Sequence, residues 1–201
     1  MNFGALIQSI LYLISSSLLY PAMVVLLVAF VGLVISFGAF LAEWSERARL
    51  RRPKESDWPA ILRGRRWLEH GLGQALARLD QLLAVSGASW LEAERLFQEV
   101  ASQARGKLDF LRVLVRLGPS TGLIATLIPM STGLAGLGQG DMSRLSADLV
   151  VAFTATIVGL FVGVTAFVLH AVRGRWLEAD LGELELVFEA RTEARLGPRK
   201  D

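Results

Sequence analysis

Hydroxyl side chains are concentrated in two apolar stretches of the sequence, where they are the groups best suited to chemistry. The stretch 118–137 contains Ser120, Thr121, Thr126, Ser131 and Thr132, and the stretch 148–172 contains Thr154, Thr156 and Thr165. A hydroxyl group both donates and accepts hydrogen bonds, so it suits either protonation state of a carboxyl group. In apolar helices such groups bond to a neighbouring helix or line a wet path.

Small residues accompany these hydroxyls and predict close contact between helices. Thr156 shares one helical face with Gly159 and Gly163, at offsets of three and seven residues. Glycine allows two helix backbones to approach each other. We therefore expect Gly159, Gly163, Gly122 and Pro119 to serve helix packing, either within one chain or between chains.

Ionisable groups are missing from the same stretches, although an ion carrier in a membrane usually needs one. Residues 117–140 and 149–172 contain no acidic or basic residue, apart from His170 near one end. Asp148 fits a solvated acid at a helix N-terminus, and the alternative is an ion vestibule. The chain alone is therefore not expected to conduct ions, and the titrating carboxylate must come from another protein.

Long uncharged stretches predict an all-α membrane protein with three transmembrane helices. Of the 201 residues 53% are hydrophobic, and residues 1–42 carry no charged side chain. A helix crosses the hydrocarbon core with roughly 20 apolar residues. The predicted segments are an interfacial helix 1–17, a transmembrane helix 18–42, a cytoplasmic helical region 43–117, a transmembrane helix 118–137, an outward loop 138–147, a transmembrane helix 148–172 and a cytoplasmic C-terminal helix 173–201.

The distribution of Lys and Arg predicts the orientation. Region 43–117 carries fourteen of the twenty-one, the tail carries six, and loop 138–147 carries only Arg144. The positive-inside rule places the basic regions in the cytoplasm. The N-terminus and the loop then face outward across a cell's inner membrane.

Leucine spacing predicts packed helices in the cytoplasmic regions. Ser89 is a candidate N-cap, with Glu92 in the capping-box position. The helix that follows is expected to run through Leu108 into the second span. The apolar stripes are Leu68, Leu72, Leu76, Leu79 and Leu83, then Leu96, Phe97 and Val100, and in the tail Leu177, Leu181, Leu184 and Phe188. Such stripes are typical of packing faces.

Three motifs resemble those of the MotA/TolQ/ExbB ion-channel family. The segment from Arg116 to Met130 is similar to the family's R-x-GP-x-x-GL-x-GT-x-x-GM pattern. Gly140-Asp141 resembles the GD of the outward loop, and the segment from Ala155 to Leu160 resembles the A-T-x-x-GL of the third span. Length and span number resemble the ExbB/TolQ branch most. Val151 stands where ExbB-like proteins carry a glutamate, which indicates a divergent branch.

The resemblance implies a ring, commonly of five subunits, around two helices of a single-span partner of the ExbD, TolR or MotB type. The partner contributes a membrane aspartate, and protons, or sodium ions in some members, drive rotation. Thr126 and Thr156 match the threonines of the second and third spans, and Thr121, Thr154 and Thr165 are further candidates for the ion pathway. Because the two spans run antiparallel, Thr126 and Thr156 need not lie at one depth, and the alternative is that they mark successive points along the path.

The main alternative is a non-conducting helical scaffold in the membrane. It would share the three spans and the packing stripes, but it would not need aligned threonines. Each threonine hydroxyl would then bond to the carbonyl four residues earlier in its own helix. The absence of cysteine, the presence of two histidines and the net charge of +2 predict no enzyme, no metal site, no cofactor and no nucleic-acid partner.

Overall fold

The computed structural model describes residues 3, 7, 10, 13, 14, 16–49, 76–84 and 89–197, and this part of the chain is all-helical. Its helices are α1 (Leu19–Arg49), α2 (76–84), α3 (Trp90–Gly106), α4 (Asp109–Leu137) and α5 (Met142–Leu196). The predicted all-α class is therefore confirmed. Leu68 and Leu72, which begin one predicted stripe, lie outside the described residues.

Three helical stretches among the described residues are long and apolar enough to cross a membrane. They lie within Leu19–Ser45, Trp90–Leu137 and Met142–Leu196. This confirms the predicted number of spans. Many of their large apolar side chains, such as Phe153 and Ile157, are exposed on the single chain. That exposure is unfavourable in water but suits a surface that lipid or another helix covers.

A capping box starts α3, as the sequence predicts. The Ser89 hydroxyl accepts a hydrogen bond from the Leu91 amide, and the Glu92 carboxylate accepts one from the Ser89 amide, each at 3.1 Å. The prediction that this helix runs unbroken into the second span is wrong. A turn at residues 107 and 108 separates α3 from α4, because amide hydrogen bonds there reach back three residues instead of four.

A tight turn joins α4 to α5 and sets their antiparallel register. Gly140 adopts a φ of 81°, which favours glycine. The Asp141 carboxylate then accepts a hydrogen bond of 3.0 Å from the Arg144 amide and so caps α5. From Met142, α5 continues without interruption for 55 residues.

The described residues form two compact units. One contains the residues up to Phe37 together with Phe110–His170, and the other contains the remaining described residues. In the first unit, Ala22 and Leu26 of α1 form a small core with Ala125 and Ala155. This core lies beside the threonines at positions 126 and 156 and fixes the helices that carry them.

Leucine and phenylalanine form the core of the second unit. The buried residues are Leu79, Leu83, Ala93, Phe97, Ala101, Leu108, Leu177, Leu181, Leu184 and Phe188, with Leu76, Leu96 and Val100 partly buried against them. The described members of the predicted stripes therefore pack together, and their interpretation as packing faces is confirmed. Their spacing of three and four residues places them on one side of each helix.

Candidate functional site

Glycines bring α4 and α5 into backbone contact in the first unit. A Cβ atom on Gly159 would lie 2.6 Å from the Gly118 carbonyl oxygen and 2.8 Å from the Gly122 Cα. A Cβ atom on Gly163 would lie 2.7 Å from the ring of Pro119. The Gly159 and Gly163 face is therefore filled by α4 of the same chain. Gly118 belongs to this contact too, and its four-residue spacing from Gly122 was the signal that the sequence interpretation did not use.

Thr126 and Thr156 meet across this interface. Their hydroxyl oxygens are in direct hydrogen-bond contact, and both side chains are half-buried. We call these two residues the hydroxyl pair. The alternative in which they mark successive points along a path is excluded, because the two oxygens are in contact and lie at the same depth of the helix pair.

The two hydroxyls have two protons between them, so one proton lies between the two oxygens and the other can reach a backbone carbonyl. Thr126 lies 2.7 Å from the Gly122 carbonyl oxygen, and Thr156 lies 3.2 Å from that of Ala152, each four residues earlier in its own helix. This is the bonding that a scaffold would also show. The hydroxyl oxygens keep acceptor capacity, however, so an incoming carboxylic acid can donate to them. An incoming carboxylate can instead accept a hydrogen bond from a hydroxyl, because each carbonyl keeps its helical N–H partner.

The other predicted pathway threonines do not join the hydroxyl pair. Thr121 is buried on α4, and Thr165 is partly buried on α5. Thr154 is exposed, and its hydroxyl donates to the Val150 carbonyl at 2.8 Å. Of the five threonines, the structure therefore brings two together and leaves three at separate positions.

Asp148 forms a second polar contact across the same interface. The Thr132 hydroxyl lies 2.8 Å from Asp148 Oδ2 and 3.0 Å from the Pro129 carbonyl oxygen. We call Asp148 and Thr132 the carboxyl–hydroxyl pair. The prediction of a solvated acid at the helix N-terminus is wrong, because α5 starts six residues earlier and the Asp148 side chain is half-buried.

Nearly equal distances from the turn explain which residues meet. Thr132 and Asp148 each lie eight residues from Gly140, while Thr126 and Thr156 lie fourteen and sixteen residues from it. Two antiparallel helices joined by a tight turn pair in this way. Asp148 is also eight residues before Thr156, or about 12 Å along the helix axis, which places both on one face. This counting rule was the available signal for the carboxyl–hydroxyl pair.

Comparison with known families identifies the class of protein. The sequence model of the MotA/TolQ/ExbB proton channel family matches residues 68–185, which is more than half of the chain. The chain belongs to this family. No curated protein and no solved structure matches it. The matched range contains all of α4 and both polar pairs, so the interface belongs to the family's shared part. The family is one of channels rather than enzymes, and among the described residues no three acidic, histidine or cysteine side chains are placed to hold a metal ion.

Proposed function

We propose that the chain is the ring subunit of an ion-driven membrane motor. It conducts protons, or sodium ions, together with a single-span partner of the ExbD, TolR or MotB type, and it converts ion flow into mechanical work. The observation that carries the proposal is the hydroxyl pair, which lies across two apolar helices of a channel-family protein. The three candidate spans favour the ExbB/TolQ branch.

The hydroxyl pair is suited to a carboxyl group that changes its protonation state. A carboxylate in an apolar site loses its hydration, and hydrogen bonds must replace the lost water. When the partner's aspartate is protonated, its O–H donates to Thr126 or Thr156. When it is ionised, a threonine O–H turns from its own backbone carbonyl to the carboxylate. Both residues are half-buried rather than fully buried, which supports an approach of the partner's carboxyl group to the pair.

The proposed arrangement is a pentamer in the inner membrane, with the N-terminus and the α4–α5 turn outside. The contacts between subunits use other faces than Gly159 and Gly163, which α4 fills.

Because the chain has no cysteine, single cysteines at Gln98 and Gln139 report orientation cleanly. They should be labelled from opposite sides of the membrane, and native mass spectrometry should show five copies. Labelling from one side, or monomer alone, would contradict the arrangement.

Valine substitutions test the hydroxyl pair, since they preserve shape and remove the hydroxyl. The assay is proton and sodium flux into liposomes that contain the chain and the single-span protein that co-purifies with it. Losing one hydrogen bond to a carboxyl group costs about 1–3 kcal/mol, so Thr126→Val and Thr156→Val should each lower flux roughly ten- to a hundredfold. Thr→Ser at either position should retain more.

Thr192→Val is the matched control. Its buried hydroxyl also donates to the carbonyl four residues earlier, that of Phe188, at 2.7 Å, but it lies in the second unit. The control removes the same kind of bond and should leave flux unchanged. Wild-type flux in both Thr126→Val and Thr156→Val, with assembly confirmed, would assign the pair to packing alone and mean that the ion takes another path. Absence of flux from the wild-type complex would favour the scaffold.

A further inference from the structure

We propose that the carboxyl–hydroxyl pair is a cation-loading site of this chain. It takes up a proton or a sodium ion at the turn end of the α4–α5 interface, before the ion reaches the hydroxyl pair. This inference rests on the proposed function, but it assigns to the chain an ion-binding carboxyl group of its own. The evidence is the contact of Asp148 with Thr132 and the absence of an ion pair with Asp148 among the described residues.

The three oxygen atoms at this site accommodate both protonation states. With Asp148 ionised, the Thr132 hydroxyl donates to Oδ2 at 2.8 Å. With Asp148 protonated, the acid donates to the Thr132 oxygen, and the hydroxyl proton turns to the Pro129 carbonyl at 3.0 Å. The heavy atoms need not move between the two states. The same oxygens are the kind of ligand that a hard cation such as sodium prefers.

None of the described charged residues near Asp148 forms an ion pair with its carboxylate. Arg144, one turn earlier on α5, packs its side chain against Gly136 of α4. Asp141 accepts the Arg144 amide in the turn. The part of α1 that packs in this unit carries no charged residue. Within the described residues no cation forms an ion pair with Asp148, so its negative charge attracts a mobile cation.

Gly133 leaves room for the Asp148 side chain, because it has no side chain of its own. A Cβ atom on Gly133 would lie 3.2 Å from the Asp148 Cβ and 3.5 Å from Oδ2. Loading forms an O–H bond on Asp148 with a proton taken from hydronium. Release breaks that bond and passes the proton to water or to the partner's carboxylate. Asp148 and Thr156 are roughly 12 Å apart along the helix axis, so water or the partner's carboxylate must carry the proton between them.

Substitutions that preserve the side-chain shape at Asp148 distinguish a role in ion loading from a role in packing. Asp148→Asn still accepts the Thr132 hydrogen bond but cannot take up a proton. In liposomes that contain the chain and its co-purified partner, flux should fall at least tenfold. Asp148→Glu should retain most of the flux. Asp141→Asn is the matched control at the other aspartate near the turn, and its flux should stay within twofold of wild type.

Thr132→Val gives a second measurement, the dependence of flux on ion concentration, which a role in packing alone would not change. It weakens loading without removing the carboxyl group, so flux should fall severalfold and recover when the outside concentration of the transported ion is raised tenfold. Recovery with protons identifies a proton site, and recovery with sodium identifies a sodium site. If Asp148→Asn fails to assemble, Thr132→Val decides the matter, and unchanged flux with unchanged ion dependence overturns the proposal.

The combined results separate this inference from the proposed function. Wild-type flux in Asp148→Asn, together with slow flux in Thr126→Val, removes the loading site and leaves the motor function intact. Wild-type flux in both variants removes both polar pairs from the ion path, and absence of flux from the wild-type complex removes the proposed function itself.

Discussion

The α4–α5 interface and the polar cluster of the second unit are stabilised by opposite means. At the interface, backbones touch at Gly118 and Gly159 and hydroxyls bond across the gap. In the second unit, Arg47 lies 2.6 Å from Asp180, whose side chain is fully buried, and its guanidinium lies 4.7 Å from the Trp176 ring centroid. The first arrangement depends on volume and the second on charge.

The physical reason is the solvent that each region faces. Between helices in hydrocarbon the hydrophobic effect contributes little, so close packing and hydrogen bonds must hold the helices together. Outside the apolar stretches, burial of leucines supplies the stability, and a buried ion pair adds orientation. Glu43 extends that cluster, because it lies 3.3 Å from both Arg47 and Arg173. Substitutions should therefore have different effects in the two regions.

Gly159→Leu should have the largest effect on folding. Its Cβ atom would meet the Gly118 carbonyl oxygen at 2.6 Å, and a backbone atom cannot move aside as a flexible side chain can. We expect no folded chain to be recovered in detergent by size-exclusion chromatography. Gly182→Leu is the control on the same helix, where a Cβ atom meets nothing within 4 Å. Normal recovery of Gly159→Leu would show that the interface does not depend on backbone contact.

Asp180→Asn should have the next largest effect, through charge rather than volume. It leaves Arg47 without its closest carboxylate, and breaking a buried pair costs about 3 kcal/mol of unfolding free energy. The loss is measurable as a lower unfolding midpoint by tryptophan fluorescence, since Trp176 stacks on Phe40 beside this cluster with ring centroids 5.3 Å apart.

Glu178→Gln is the matched control and the smallest expected effect. Its partner Arg105 lies 3.2 Å away, and both side chains are more than half exposed. The pair raises the pKa of Arg105 through its hydrogen bond, but exposed pairs contribute little to stability. Equal midpoints for Asp180→Asn and Glu178→Gln would contradict the distinction between buried and exposed charge.

Local pattern was sufficient to predict much of the fold. The Ser89 cap and the Leu177–Phe188 stripe depend on neighbours within one helical turn, and the structure confirms both. The break at residues 107 and 108 was missed although Gly106 directly precedes it, because the apolar pattern continues through Leu108 and Leu111 into α4. Sequence also identified Thr126 and Thr156, through motif resemblance rather than through periodicity.

Register was the part that the sequence interpretation misjudged. The error lies in counting depth from the ends of the predicted spans, at 118 and 148, which leaves the relative depth of Thr126 and Thr156 open. The true reference is the turn at Gly140, which pairs residues at nearly equal distances on either side. The same error hid the contact of Asp148 with Thr132, because a helix that begins at Met142 has no free N-terminus at Asp148.

Ion flux with and without the partner tests the central claim most directly. The chain carries hydroxyls across its interface but no acidic or basic residue from 149 to 169. Liposomes that contain the chain alone should therefore dissipate a proton or sodium gradient no faster than empty liposomes. Adding the single-span partner should produce flux, and replacing that partner's membrane aspartate by asparagine should abolish it. Fast dissipation by the chain alone would contradict the account, because the chain would then contain a complete ion path.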